Sequence, residues 1–523
     1  MTIFDIRRHL VTLSPCHLVT WSSLAVVVLV LALLPLQTLL LAIGAALALA
    51  LPLLDPIFGL YWAILSVPVQ ELLQLPGGLS YTQAAMLLAT LGWGLRVLAH
   101  PELPLIAGQP RGARLQLWLW AAFLSALLLA VTLSPYPRAA GLKEALRWIE
   151  AFLVWLMVVT LTRRRWQVAG LLVCLLLAPA AEATIGIAQF VSGAGPPSFR
   201  IAAGLPFVRA YGTIGQPNSF AGYLNMAWPL AVALAVGATA AFWRRDQRRI
   251  ESERGGDNAS PRRPLTLSPR HLIICALALW TTTALLLAAL VASLSRGAWV
   301  GAAAGALGIA LALGPRARAW ALGALGVVAL GAAIGGFGLL PGFVAARLAS
   351  ITSYLAFFDA GSAVVTPANF ALVERMAQMQ AGWHMFLAHP LTGVGPGSYT
   401  AAYPEFAVGS WYASRGHAHN YYIHMAAEAG AIGLLAYLAL LAGLARQALV
   451  TLRRANGPLW RSAAIGCCGI ISAAVAHDLF ENVHVLSMGI QLAAVWGLLF
   501  VIERLAQNPL EHSTSTIDEW IGV

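Results

Sequence analysis

Charged residues are scarce in this sequence. Only 10% of its 523 residues are Asp, Glu, Lys or Arg, while 59% are hydrophobic, and the mean hydropathy is +0.76. A soluble globular domain has about 25% charged residues. The composition therefore excludes an ordinary soluble protein and predicts an all-α, polytopic integral membrane protein built as a helical bundle.

Cysteine is also scarce. Four of the five cysteines lie within apolar runs, and none lies in a long polar segment. We therefore expect neither a disulfide nor a cysteine-based metal site. The residues concerned are Cys16, Cys174, Cys275, Cys467 and Cys468.

Acidic residues are outnumbered by basic ones, which gives a net charge of +11. The arginines lie mostly in short segments between apolar runs and not on one basic face, so we expect no nucleic-acid partner. They mark topology instead, because cytoplasmic loops of membrane proteins are rich in Arg and Lys. By this rule residues 163–165 and a solvated basic loop at residues 244–270 lie in the cytoplasm. Arg7 and Arg8 precede an apolar stretch that we interpret as a retained first span.

Apolar segments long enough to cross a bilayer, which takes about 20 residues, recur along the chain. Because the first three are short and could form two spans, the sequence predicts 12 to 14 transmembrane helices. The candidate spans are residues 20–35, 37–53, 56–70, 80–98, 114–134, 143–162, 166–190, 217–243, 271–293, 298–314, 318–340, 420–447, 462–480 and 485–504.

These spans divide the chain into three parts, which are N-terminal helices over residues 1–340, a long external loop over 341–419, and C-terminal helices with a cytoplasmic tail over 420–523. Alternation of the spans puts residues 191–216, the turn at 295–297 and the loop 341–419 on the outer face. Loops longer than ~12–15 residues are usually functional or disordered. Aromatic residues argue against disorder here, and residues 370–387 can form an amphipathic helix.

Ionisable residues cluster next to one late span, over residues 415–437. The segment begins RGHAHNYYIHMAAEAG and continues to Gly433 and Tyr437. A charged side chain at membrane depth costs about 2.5–3.5 kcal/mol, so such a cluster indicates a functional site. The alternative is that its histidine and tyrosine rings simply lie at the headgroup level. Gly430 and Gly433 would let a neighbouring backbone approach closely.

The pattern His419-Asn420, nine residues, Gly430, two residues, Gly433 resembles a signature of the O-antigen ligase and O-antigen polymerase superfamily. Three more segments resemble the same family in the same order, and they cover residues 209–224 (RAYGTIGQPNSFAGYL), 294–301 (LSRGAWVG) and 375–399.

The resemblance implies a glycosyltransferase of polysaccharide or lipopolysaccharide biosynthesis in the inner or plasma membrane, with its active site on the periplasmic or external face. It implies an undecaprenyl-diphosphate-linked oligosaccharide as donor, inversion at the anomeric carbon, no metal and no cofactor. Membrane lipids would surround the protein. The acceptor stays open between a lipid A core sugar, a second lipid-linked repeat unit and a protein side chain.

Arginines on the predicted outer face run against the positive-inside trend. A guanidinium binds phosphate through a planar pair of N–H groups and stays charged, so converging arginines suit a diphosphate. We expect Arg296 and Arg375 to hold the diphosphate and Arg209 to assist. Arg296 lies in a short turn between spans. The alternative for Arg200, Arg347 and Arg415 is contact with lipid headgroups; Arg415 is also a candidate for substrate binding.

His419 is the candidate general base, because an imidazole titrates near neutral pH and can take the proton of an acceptor hydroxyl. The alternative is a polar helix cap beside Asn420. His417 is a candidate for binding the donor sugar. Glu428 lies four residues after His424 and either orients that histidine or pairs with an arginine.

Other candidate substrate-binding residues are Asn218 and Asn420. Asn218 begins a span in the sequence Gln-Pro-Asn. A metal site made of His417, His419, His424 and Glu428 fits no common zinc spacing, and no Asp-x-Asp lies in the outer loops, so we expect no metal.

A second polar cluster, residues 477–484, ends a span on the same predicted side. His477, Glu481 and His484 would share one helical face and either line the acceptor path or tie helices together. A rival function is a transporter or flippase of lipid-linked saccharides, which predicts ionisable residues near mid-span. A purely structural membrane scaffold would leave the outer arginines and His419 unexplained.

Overall fold

The computed structural model describes residues 44, 49–70, 72, 80–100, 109–201, 206–254, 268–333, 357–366 and 369–507. Over these ranges the chain forms fifteen α-helices and no strand, apart from one isolated bridge between Arg200 and Val208. Eight of the helices are long and apolar enough to cross a membrane. The predicted all-α polytopic membrane fold is confirmed.

The helices are numbered in chain order. They are α1 Pro56–Ser66, α2 Tyr81–Ala99, α3 Arg111–Leu133, α4 Arg138–Leu161, α5 Arg165–Ser192, α6 Pro217–Asn225, α7 Trp228–Arg254, α8 Pro269–Ala292, α9 Arg296–Leu313, α10 Pro315–Ala333, α11 Phe370–Ala388, α12 Tyr399–Phe406, α13 Tyr421–Arg454, α14 Pro458–His477 and α15 Met488–Gln507.

Most predicted spans coincide with these helices, while span 20–35 and most of span 37–53 lie outside the described residues. Four helices, α1, α2, α4 and α10, form where spans were predicted but are not among these eight long, apolar helices. The basic loop was predicted too long at its start, since α7 continues to Arg254. Arg, Gln and Glu are good helix formers, so the helix continues where the apolar run ends.

Small residues bring α9 and α14 together. A Cβ on Gly305 would lie 3.2 Å from the Gly469 carbonyl oxygen, and one on Gly301 would lie 3.0 Å from that of Ala473. Interfaces between membrane helices favour small residues, because van der Waals packing, and not the hydrophobic effect, drives their association. This close pairing places the N-terminus of α9 beside the C-terminus of α14.

The helix α13 is broken at Gly430, whose φ of +63° is favourable only for glycine. The loop at residues 389–397 enters the break. The amide N–H of Ala431 donates to the Pro390 carbonyl (2.8 Å), and that of Val394 donates to the Ala427 carbonyl (2.9 Å). The loop therefore satisfies backbone groups that the break leaves unpaired.

The same break fixes the segment that precedes α13 on the bundle. A Cβ on Gly430 would lie 2.2 Å from the Leu391 carbonyl carbon, so no side chain fits there. The predicted amphipathic helix at residues 370–387 is observed as α11, and it packs on α13 together with α12. Their shared apolar core includes Met385, Tyr399 and Tyr403. The division of the chain into three parts stays a prediction.

Candidate active site

A cavity of about 160 Å³ lies at one end of the bundle, where α8 and α14 end and α6 and α9 begin. Three arginines from separate segments of the chain line it, as do an asparagine, a glutamate and a histidine. These residues are Arg209, Asn218, Arg296, Arg375, His477 and Glu481. The three arginines predicted to hold a diphosphate thus share one cavity.

Arg209 is held in place by two hydrogen bonds. Its Nε donates to the Ser293 carbonyl (2.8 Å) and its Nη2 to Asn218 Oδ1 (2.9 Å). The loop that carries Arg209 is tied to α5, because Glu182 accepts the Thr213 amide (2.8 Å) and Gln189 Oε1 accepts the Gly212 amide (2.8 Å). A buried glutamate of a membrane helix therefore positions an arginine of the cavity.

Arg296 is the first residue of α9, directly after a tight turn. Leu294 in that turn has φ +50°, a left-handed conformation that is uncommon for residues other than glycine. Backbone strain of this kind persists where the surrounding structure imposes it and is frequent at functional sites. Arg375 comes from α11, and its guanidinium reaches the Glu481 carboxylate (3.4 Å) and the Phe480 carbonyl (3.5 Å).

Glu481 is the centre of the hydrogen-bond network. Its Oε2 accepts from Asn218 Nδ2 (2.8 Å) and from Arg375, while its Oε1 lies 3.1 Å from both His417 Nε2 and His419 Nδ1. Burial raises the pKa of Glu481, but the two imidazoles and the guanidinium outweigh burial and hold that pKa well below its usual range. The carboxylate is therefore ionised at neutral pH.

The hydrogen bonds assign the tautomers of both histidines. The backbone N–H of His419 donates to His417 Nδ1 (3.1 Å), so the ring proton of His417 is on Nε2 and points at Glu481. His419 likewise directs Nδ1–H at Glu481. Its Nε2 then carries the lone pair. Burial lowers the pKa of His417 to about 3, although the charge of Glu481 opposes this shift.

His417, His419 and Glu481 form the one group of three donor residues in the described part of the chain whose ligand atoms are close enough to hold a metal ion. A divalent metal ion there would have to replace the proton on His417 Nε2, and it would lie beside the positively charged guanidinium of Arg375. Both requirements oppose it. The donor set fits a proton-transfer network better than a metal centre.

Four predicted binding residues do not line the cavity. One of them, His417, contacts Glu481. Arg415 pairs with Glu374 on the surface (2.6 Å), and the Asn420 side chain caps α13 by accepting the Ile423 amide (3.0 Å). Glu428 accepts the amide of Gly397 (2.8 Å), just before α12, and that of Tyr399 (2.9 Å), the first residue of α12. It also lies 3.5 Å from His424, as its spacing predicted.

Glu481 and His477 were absent from the predicted site, although their polar cluster was recognised. The expectation that His477, Glu481 and His484 share a helical face is wrong, because α14 ends at His477. The chain then turns, so Glu481 points to His419 while His484 contacts Tyr437 (3.0 Å). The signal that could have found Glu481 is a carboxylate immediately after a span on the side of the arginines.

The fold and the cavity define an integral membrane protein with a cationic, histidine-containing site at one end of its helical bundle. Residues 281–438 match the family model described as O-antigen ligase. This match bears out, over that segment, the resemblance to the O-antigen ligase and polymerase superfamily. No curated protein matches the chain. The matched segment contains Arg296, Arg375 and His419, whereas Arg209 and Glu481 lie outside it.

Proposed function

We propose that this protein transfers a glycan from a polyprenyl-diphosphate donor to an acceptor hydroxyl, with inversion and without a metal ion. The observation that carries the proposal is the convergence of Arg209, Arg296 and Arg375 on one cavity whose glutamate also holds His419. The match of residues 281–438 to the O-antigen ligase family model supports a lipid-linked glycan as the donor.

The arginines supply the charge that a diphosphate needs. Guanidinium groups bind phosphate oxygens with charge-assisted hydrogen bonds, and they cannot lose their protons. They come from the loop before α6, from α9 and from α11, so they surround the cavity from different directions. Fixed cations of this kind stabilise the negative charge that builds up on a departing diphosphate.

His419 acts as the general base. Its Nε2 takes the proton of the acceptor hydroxyl while the acceptor oxygen bonds to the anomeric carbon. The bond between that carbon and the phosphate oxygen breaks, and the diphosphate leaves with the electron pair. The ionised Glu481 holds Nδ1–H at 3.1 Å and stabilises the imidazolium that forms. This is the role that a carboxylate has in a Ser-His-Asp triad.

The test is glycan transfer by purified protein in liposomes that contain a polyprenyl-diphosphate oligosaccharide, with candidate acceptors and EDTA present. We expect wild-type protein to form product. We expect His419→Ala and Arg296→Ala to lose at least about 100-fold in rate, which is typical for a general base or for a group that stabilises transition-state charge. A matched control is His384→Ala, which changes an exposed histidine of α11.

Two results would overturn the proposal. One is full activity of folded His419→Ala. The other is movement of labelled donor across the bilayer with no acceptor ever modified, which would favour a transporter. Loss of product in EDTA that is restored by a divalent ion would contradict the metal-independent mechanism and point to His417, His419 and Glu481 as ligands.

A further inference from the structure

A histidine that the proposed reaction does not use lines the cavity of the three arginines, and its ring has no hydrogen-bond partner within the described part of the chain. His477 is 1% exposed, and neither Nδ1 nor Nε2 is hydrogen-bonded. A neutral imidazole offers one N–H donor and one lone pair. Leaving such a group buried and unsatisfied is unfavourable, so an unpaired ring at a cavity wall can hydrogen-bond a molecule that enters the cavity.

Glycines hold this ring in one position. A Cβ on Gly297 would lie 3.5 Å from His477 Nε2, and one on Gly222 would lie 3.5 Å from Nδ1. A Cβ on Gly301 would lie 3.0 Å from His477 Cβ. The ring therefore fits between α6 and α9 and has little room to rotate towards another partner. Its Nε2 is on the side of Gly297, in the first turn of α9.

The N-terminus of α9 faces the same place. This helix has 18 residues, and its N-cap residue, Ser295, makes no side-chain hydrogen bond to the first turn. The N-terminus of a helix attracts anions, because its first N–H groups have no partner in the helix and the helix dipole is positive there. Ser295 and Gly297 line the cavity together with His477.

We propose that His477 Nε2–H and the first turn of α9 form a subsite for one phosphate of the diphosphate donor. The proposal rests on the proposed function and adds a neutral hydrogen-bond donor to the arginines. Arg209, Arg296 and Arg375 surround the same cavity and favour an uncharged ring. His477 therefore differs in role from His419, which contacts Glu481 and accepts a proton.

The experiment measures binding of inorganic pyrophosphate to purified protein in nanodiscs. We expect His477→Leu to weaken binding roughly tenfold or more, since hydrogen bonds to charged groups are the stronger ones. His477→Gln should bind within about threefold of wild type, because its amide N–H can reach the place of Nε2–H. His477→Asn is the matched control, since its amide nitrogen lies near the Nδ1 position and should not restore binding.

The outcomes separate this subsite from the proposed function. Wild-type binding that is lost in Arg296→Ala but unchanged in His477→Leu would refute the subsite and leave the diphosphate site in place. No binding by the wild type would count against both. If His477→Leu does not fold, as judged by thermal unfolding, Gln and Asn still decide, because equal binding by these two variants would contradict a donor at Nε2.

Discussion

Replacing Glu481 with Gln tests the network around His419 most directly. The side chain keeps its shape, but it loses its charge and exchanges one acceptor oxygen for an NH₂ group. Donors from four side chains approach the carboxylate in the wild type. If the amide oxygen takes the place of Oε1 and keeps both histidines, the NH₂ group faces Asn218 Nδ2.

If Asn218 rotated its amide to present an acceptor, it would lose its other hydrogen bond, because its Oδ1 accepts from Arg209 Nη2 at 2.9 Å. The substitution therefore disturbs the proposed base, His419, and one of the arginines proposed to bind phosphate, Arg209, together. We expect a large decrease in kcat and a several-fold increase in KM for the donor.

The decrease in kcat follows from the interaction of Glu481 with protonated His419. A hydrogen bond to a charged group contributes about 1.5–3 kcal/mol, and two unit charges 4 Å apart interact by about 4 kcal/mol at an effective dielectric constant of 20. The observed contact is 3.1 Å. Because each 1.36 kcal/mol in the barrier changes the rate tenfold, Glu481→Gln should lower kcat by roughly 100- to 1000-fold.

The assay is single-turnover transfer from saturating lipid-linked donor in nanodiscs, with folding checked by thermal unfolding. Glu405→Gln is a matched control, because Glu405 is exposed on α12. A folded Glu481→Gln protein with kcat within threefold of wild type would refute the assignment of Glu481 as the partner of the base. An equal loss in the Glu405 variant would show that the assay does not report on the site.

Three further predictions follow from other contacts. His417→Gln should reduce the acid sensitivity of folding between pH 6.5 and 5, because the unfolded chain protonates His417 below about pH 6.5 whereas the folded protein does so only near pH 3. Between pH 6.5 and 5 the protonation of His417 in the unfolded chain lowers the free energy of unfolding of the wild type by at most about 2 kcal/mol. Equal shifts in melting temperature for the two proteins would contradict this prediction. The stabilising effect of Glu481 is lost only at lower pH, since its folded pKa is depressed. Gly430→Ala should lower the free energy of unfolding by at least about 3 kcal/mol, because the added methyl group overlaps neighbouring backbone and the residue has a positive φ. The control is Gly94→Ala, where the added methyl group meets open space, and it should unfold like wild type in the same thermal assay. Arg415→Ala should keep transfer activity within about threefold, because an exposed ion pair such as its contact with Glu374 contributes at most about 1 kcal/mol; a strong loss would return Arg415 to the binding site.

The arginines of the site were predictable because membrane topology has few solutions. Once apolar spans alternate across a bilayer, the segments with Arg209, Arg296 and Arg375 must meet at one end of the bundle. The structure brings these residues to one cavity. The positions of the helices follow from the lengths of the apolar runs. The sequence therefore predicted most of the described spans to within a few residues.

The contact between Glu481 and His419 was not predictable from local patterns. Glu481 is 62 residues from His419, and it lies in a turn where no helical or strand period applies. Two residues near this turn, Leu486 and Ser487, have positive φ, which their residue types do not indicate. For Glu428 the local pattern predicted one contact and missed another. Its four-residue spacing correctly predicted contact with His424, but nothing local reveals that a distant loop enters the break at Gly430.

The charges of the cavity match the course of the proposed reaction. Among its lining residues, three guanidinium groups and one ionised carboxylate leave a net charge of two positive. A diphosphate that links a sugar to a lipid carries about two negative charges, and it gains about one more when the sugar departs. In the same step His419 gains one positive charge from the acceptor proton. The total charge of the site and the donor is therefore unchanged from bound donor to departing diphosphate, so a histidine that gains its proton in the reaction suits this site better than a fourth permanent cation.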